Sequence, residues 1–197
     1  MADKIGDDIP PRPRYLLGDK YKVPAEQLTD GVVTLRRWKI ENAPDSFDAV
    51  EKSMPELEAW MPWAAGGYTI EDAKIFMAKT TADWDAKTGY NYAVIVDGTI
   101  CGSFGLMNAV IGDTGMGMGY WLGTPWTGHG YATRAASLLT QAAFDCGAEL
   151  VQIWHNSKNE KSGNVPKRLG YRYVGEYKAL QIIETGPFGV WQMDKPE

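Results

Sequence analysis

The sequence predicts a mixed α/β fold (α/β, with α+β character): a mostly antiparallel sheet of six to seven strands flanked by helices. Three observations lead there. Three apolar runs, at residues 91–96, 100–110 and 115–122, follow one another closely, and Asp97-Gly98 between the first two is a strong two-residue hairpin signal. After this meander the pattern changes to strand, glycine loop, helix, strand, helix, strand, strand, the order of a sheet with helices lying on it. With 197 residues, 44% of them hydrophobic and 23% charged, the chain is long enough for one full core and has ordinary globular composition.

Taken in order, residues 1–29 carry Pro10, Pro11, Pro13 and Pro24 among charges, with little apolar periodicity. They read as an extended N-terminal arm docked on the body or on a partner subunit, with PPRPR as a peptide-recognition motif the other reading. Residues 30–197 read as one domain. Its first strand is 32–38, with Val33, Leu35 and Arg37 on one side and Val32, Thr34, Arg36 and Trp38 on the other. Helices are expected at 43–52 and 55–61. The PWAAGGYT stretch that follows sets Trp60 and Trp63 near a turn rich in Pro and Gly, either as core packing or as an aromatic wall of a substrate pocket. Thr69 and Asp72 form a capping-box pattern that opens a helix to about residue 87, with Ile70, Ala73, Phe76, Met77 and Trp84 inward. The second half then predicts a helix at 131–146, a strand at 150–155, a helix at 160–169 and strands at 171–177 and 188–193.

Several function classes are disfavoured. A net charge of −5 argues against a general nucleic-acid binder. No apolar run approaches the roughly 20 residues of a membrane span, and the polar N-terminus has no secretory core segment. Cys101 and Cys146 stand far apart without metal-type spacing, His129 and His155 have no spaced ligand partners, and a reducing, cytoplasmic setting with no metal is expected.

One stretch stands out. A short aromatic strand, Tyr120-Trp121-Leu122, enters a loop containing Gly128-His129-Gly130, and a helix leaves directly from it. Helix N-termini carry unpaired amides and the positive end of a dipole, so the loop reads as a cradle for a pyrophosphate. It does not fit a dinucleotide fingerprint: the sixth position is Thr133, the unit lies late in the chain, and no acidic residue closes the next strand. The triphosphatase loop pattern is absent as well.

Three segments, YWLGTPWTGHGYATRAASLL, NEKSGNVPKRLGYRYVGEY and LEAWMPW, together resemble the GNAT family of acyl-CoA dependent N-acetyltransferases, most closely its RimJ/RimL-like branch. The resemblance implies a splayed, mostly antiparallel GNAT sheet and acetyl-CoA as cosubstrate. It implies that the backbone N–H groups of Gly128, His129, Gly130, Tyr131 and Ala132 bind the CoA pyrophosphate, with Thr133 adding a hydroxyl, and that pantetheine runs along Tyr120, Trp121 and Leu122. It places Asn159 at the pantetheine arm and Ser162 near the sulfur, as a source of a proton for the departing thiolate; helix capping is the other reading of both residues. The Glu that serves as general base in the branch falls nearest Gln181, with Glu184 three residues on as the candidate base; an exposed hairpin residue is the other reading of Glu184. Trp60 and Trp63 line the acceptor pocket, and the acceptor is a small-molecule amine or a peptide N-terminus. A homodimer is common in the family. One departure is Pro125 where the loop motif usually has Arg or Gln. A non-catalytic acyl-CoA binder and, further off, a nicotinamide-dependent oxidoreductase are the alternative functions.

Overall fold

The computed structural model describes residues 16–109, 111, 114–178 and 187–197. In chain order these form α1 (Leu17–Lys20), β1 (Gln27–Thr29), β2 (Thr34–Arg37), α2 (Ala43–Glu51), α3 (Met54–Glu58), α4 (Ile70–Asp85), β3 (Tyr90–Val96), β4 (Thr99–Asn108), β5 (Met116–Leu122), α5 (Tyr131–Asp145), β6 (Leu150–Asn156), α6 (Glu160–Arg168), β7 (Arg172–Tyr177) and β8 (Phe188–Asp194). One eight-stranded sheet has the order β1-β2-β3-β4-β5-β6-β8-β7. Every neighbouring pair is antiparallel except β5 and β6, which run parallel.

The local signals explain most elements. Asp97 and Gly98 both take positive φ, 49° and 77°, the backbone a tight hairpin between β3 and β4 needs. At the start of α4, Thr69 Oγ1 accepts from the Asp72 amide at 3.2 Å and Asp72 Oδ2 accepts from the Thr69 amide at 2.8 Å, closing the capping box.

Strand β1 is the eighth strand, one more than the sequence pattern suggests. Gln27-Leu28-Thr29 has a single apolar residue, too short a pattern to register as a strand. Its register is imposed by the turn after it, where Asp30 Oδ1 accepts from the amides of Val32 and Val33 at 2.9 and 2.8 Å and brings Leu28 opposite Leu35. Residues 16–29, read as part of an extended arm, lie on the body. Leu17 is fully buried, the Tyr21 hydroxyl accepts from the Gly115 amide at 2.6 Å, and the Tyr92 hydroxyl donates to the Ala25 carbonyl at 2.9 Å. The Pro10, Pro11 and Pro13 segment lies outside the described residues.

The sheet is covered on both faces. On one, Leu35, Val94, Phe104, Met116, Met118, Val151 and Ile153 pack against Ala135, Ala136, Leu139 and Ala143 of α5. Those helix positions recur at helical spacing, and three alanines let the axis lie close to the strands. On the other face Trp38, Ala93 and Ile100 meet Ala43 of α2 and Ala73 and Met77 of α4. Among the described residues no helix is long and apolar enough to cross a membrane.

Leu139 is fully buried between α5 and the sheet, so Leu139→Ala is expected to lower stability by about 2–5 kcal/mol. Urea denaturation checks this; a loss below about 1 kcal/mol would mean that α5 is not seated as described.

Candidate active site

Strands β5 and β6 pair over only three positions, Met116 with Val151, Gly117 with Gln152 and Met118 with Ile153. Each strand then continues beside its other neighbour: β5 follows β4 until Leu122 stands opposite Gly102, and β6 follows β8 until Asn156 stands opposite Phe188. Between them the sheet opens as a wedge, and the facing backbone beyond Met118 and Ile153 has no strand to pair with. Such an edge offers N–H and C=O groups to an extended ligand.

Side chains line the wedge from both faces. Gly117 is bare because a Cβ there would lie 2.7 Å from the Asn108 carbonyl oxygen and 2.9 Å from the Trp154 indole. Tyr120 turns to the α5 face, where its ring stacks on Phe104 with centroids 4.6 Å apart and planes 10° from parallel. Its hydroxyl donates to the Ser162 carbonyl at 3.0 Å and accepts from Ser162 Oγ at 3.2 Å. Burial pushes the Tyr120 phenol up to about 12, with the Ser162 hydrogen bond opposing the shift. The phenol therefore stays protonated across the physiological range.

From Leu122 the chain passes a short 3-10 turn, where the Thr124 amide donates to Ser53 Oγ at 2.9 Å and ties the loop to the α2–α3 junction. Gly128 and Gly130 follow with φ of 84° and 80°, and a Cβ at either would touch nothing within 4 Å. Backbone conformation, not crowding, is what requires glycine here. Gly130 is the N-cap of α5 and brings no side-chain cap; the first amide bonded back into the turn is that of Arg134, to the Gly130 carbonyl at 3.1 Å. Among the described residues nothing accepts from the amides of Gly128, His129, Gly130, Tyr131, Ala132 or Thr133. A run of unengaged donors at the positive end of a 15-residue helix is suited to a diphosphate. His129 is exposed, its ring 5.5 Å from that of Tyr131.

The structure gives a position to some of the other residues singled out in the sequence. Asn159 is the N-cap of α6, and its Oδ1 accepts from the Ser162 amide at 3.1 Å, so the capping reading is realised in its geometry. Trp121 alternates to the face opposite Tyr120, where its indole meets Trp63 with centroids 6.1 Å apart; Trp63 in turn packs edge-on against Tyr68 at 5.4 Å. Trp60 lies nearby in sequence but makes no ring contact among the described residues and is 38% exposed. Glu184 and Gln181 lie outside the described residues.

Residues 33–172 match the family described as Acetyltransferase (GNAT) domain. The chain belongs to the GNAT acetyltransferase family. A Bacillus subtilis (strain 168) protein named "Putative ribosomal N-acetyltransferase YdaF" is 25% identical over 149 residues, which span 73% of this chain and 80% of that protein. Among solved structures, the microcin C7 self-immunity acetyltransferase MccE, in complex with acetyl-CoA and AMP, superposes with a TM-score of 0.75 at 20% identity, over 84% of this chain and 94% of that one. RimL, the ribosomal L7/L12 α-N-protein acetyltransferase in complex with coenzyme A, gives 0.75 at 16% identity, over 86% and 98%. These likenesses establish the GNAT fold.

One residue of this GNAT-family chain escaped the sequence reading beyond its metal-ligand pattern. His155, at the end of β6, lies between two glycines: a Cβ at Gly163 would come within 2.7 Å of its ring and one at Gly189 within 3.1 Å. Its Nδ1–H donates to the Asn156 carbonyl at 2.7 Å, and its Nε2 accepts from Trp191 Nε1–H at 3.0 Å. Both partners fix their roles, because a carbonyl only accepts and an indole N–H only donates, so the ring is the neutral Nδ1–H tautomer. The glycine at 163, three residues into α6, was the signal available in the sequence.

Burial holds the His155 imidazole below its ordinary 6.5, against the opposing pull of the backbone hydrogen bond to Asn156. In that case the unfolded chain binds the proton more readily than the folded one, and stability rises with pH between the depressed value and about 6.5. The contribution is complete above about pH 6.5 and is lost as pH falls through that window. Replacing His155 with Gln is expected to flatten the melting temperature between pH 6.5 and 5; an unchanged slope would show that this imidazole is not the group being titrated.

Proposed function

We propose that this GNAT protein transfers the acetyl group of acetyl-CoA to a primary amine by direct attack, the acceptor being a protein N-terminal α-amine or a small-molecule amine. The observation that carries the reading is the coincidence of the β5–β6 wedge with the glycine-capped N-terminus of α5 at the end of the loop from β5. An extended arm can pair with the open strand edge while a diphosphate attached to it meets the helix amides. The left-handed glycines fit such a group, since the space a side chain would take at Gly128 and Gly130 is open.

In this reading the amides of Gly128, His129, Gly130, Tyr131 and Ala132 hold the pyrophosphate and Thr133 adds its hydroxyl. Tyr120, Trp121 and Leu122 offer backbone to the pantetheine arm, with Asn159 at its far side. Bound acetyl-CoA supplies an activated thioester carbonyl. A strand N–H at the wedge stabilises the oxyanion that forms there; the Ser162 hydroxyl, turned from the Tyr120 phenol toward the sulfur, stabilises and protonates the departing thiolate, and the proton given up by the attacking amine restores the serine hydroxyl. The acceptor enters on the opposite face, where Trp63 and Trp121 form an apolar wall with Trp60 at its rim. Glu184 is the proposed base.

The α-amine class is favoured by proton energetics. An α-amine with a pKa near 7.7–8.0 is roughly a tenth neutral at pH 7, whereas a lysine near 10.4 must give up a proton at a cost of roughly 5 kcal/mol before it can attack. The name of RimL, which describes α-N-protein acetylation, and the ribosomal name of the Bacillus relative support the same class.

Acetyl-CoA is expected to raise the melting temperature, and NAD to leave it unchanged; the reverse pattern would end the acetyltransferase reading. Ser162→Ala should bind acetyl-CoA normally and release free CoA thiol at least tenfold more slowly with a saturating amine. Absence of thiol release with every amine at every concentration would point to a binding protein instead. Across an amine panel, kcat/KM should be higher for peptide α-amines than for lysine side chains, and a preference for lysine overturns the acceptor class.

A further inference from the structure

Helix α6 contains a proline in its interior, Pro166, and that residue is buried. Proline has no N–H, so it cannot donate to the carbonyl four residues earlier, and its ring crowds that carbonyl. Four residues earlier is Ser162. The carbonyl that Pro166 deprives of its i+4 donor is the one that receives the Tyr120 hydroxyl at 3.0 Å from across the wedge. The same phenol oxygen accepts the hydroxyl proton of Ser162 at 3.2 Å. Tyr120 itself is fixed by stacking on Phe104, and both hydrogen bonds of its hydroxyl go to Ser162.

We infer that Tyr120 is a positioning residue for Ser162: its phenol replaces the helix hydrogen bond that Pro166 removes and selects the Ser162 side-chain rotamer that sets Oγ at the wedge. This rests on the proposed role of Ser162 toward the thiolate. A serine side chain has three staggered χ1 wells, and without an acceptor at Tyr120 it divides its time among them. The clasp works at two points, the backbone carbonyl and the hydroxyl, and the two can be separated. A donor supplied at position 166 would satisfy the carbonyl, but it would do nothing for Oγ. Tyr120 is thereby assigned a side-chain role distinct from the backbone role of its strand, and it acts through Ser162.

The test uses Tyr120→Phe, which keeps the stacked ring, in the wild-type, Ser162→Ala and Pro166→Ala backgrounds of the full chain. Melting temperature, acetyl-CoA KM and kcat are measured with one saturating amine. Tyr120→Phe alone should lower the melting temperature and reduce kcat three- to tenfold with acetyl-CoA KM unchanged. In the Pro166→Ala background the melting loss should shrink, because an alanine in place of the proline provides the missing N–H, while the kcat loss persists. In the Ser162→Ala background Tyr120→Phe should cost no further kcat. The positioning role is overturned if the kcat loss disappears together with the melting loss when Pro166 is replaced, or if it multiplies with that of Ser162→Ala. It is overturned equally if Tyr120→Phe turns over as fast as wild type. Should Ser162→Ala keep wild-type turnover while Tyr120→Phe loses it, Tyr120 acts without Ser162 and the inference falls; the acetyl-CoA melting shift and amine-dependent thiol release still report separately on the overall reaction.

Discussion

The arrangement depends on one constraint: β5 and β6 are parallel neighbours that stay together for only three residue pairs. Each is held more extensively on its outer side, β5 by seven register positions with β4 and β6 by seven with β8. Because the outer pairings are antiparallel and continuous, both strands stay in the sheet past the point where they part, and the opening is a feature of the sheet topology. The cost is a row of strand groups without protein partners. Natural sheets avoid leaving such groups as open edges, so a persistent internal one marks a place where something else is meant to pair.

What spans the wedge is as informative as what leaves it open. On the α5 face Tyr120 reaches across to α6, and on the other face Trp154 lies against the bare backbone of Gly117. These contacts use side chains and leave the strand backbone available. At the end of the loop from β5, the chain turns through two left-handed glycines straight into α5. A ligand with an extended polar arm and a diphosphate needs both features within one ligand length. Here a single connection of eight residues, Gly123 to Gly130, separates the end of the open strand from the first turn of the helix.

Much of this was legible in residue types whose chemistry is local. The Thr69–Asp72 box, the Asp97-Gly98 hairpin and the glycines at 128 and 130 each state their backbone geometry within a few positions. Strand β1 was not legible, because Gln27-Leu28-Thr29 gains its partner from the Asp30 turn and not from its own pattern. The same limit applies to the site. Ser162 is singled out by the resemblance of its segment to the family's Asn-x-x-Ser block, but its bond to Tyr120 joins residues 42 apart and depends on how β5 alternates. Trp121 was read for its backbone; its indole pairing with Trp63 follows from the same alternation, which sends Tyr120 and Trp121 to opposite faces. The neutral lock on His155 needs Trp191 from β8, a contact no spacing rule anticipates.

Capping and catalysis are rival explanations for an Asn-x-x-Ser pattern, and the geometry here realises the cap while leaving it compatible with the proposed catalytic role. Asn159 Oδ1 holds the Ser162 amide from the N-terminal side of α6, satisfying a donor that the first helical turn leaves open. Tyr120 holds the Ser162 carbonyl from the β5 side, donating to an acceptor whose i+4 helix donor Pro166 removes. The backbone of Ser162 is thus fixed at both its donor and its acceptor by side chains, where an ordinary helical residue would rely on the helix alone. A helix that needed only a cap would gain nothing from an interior proline, which destabilises a helix by about 3 kcal/mol. The proline becomes intelligible when the carbonyl it frees is the handle by which the other wall of the wedge grips the serine.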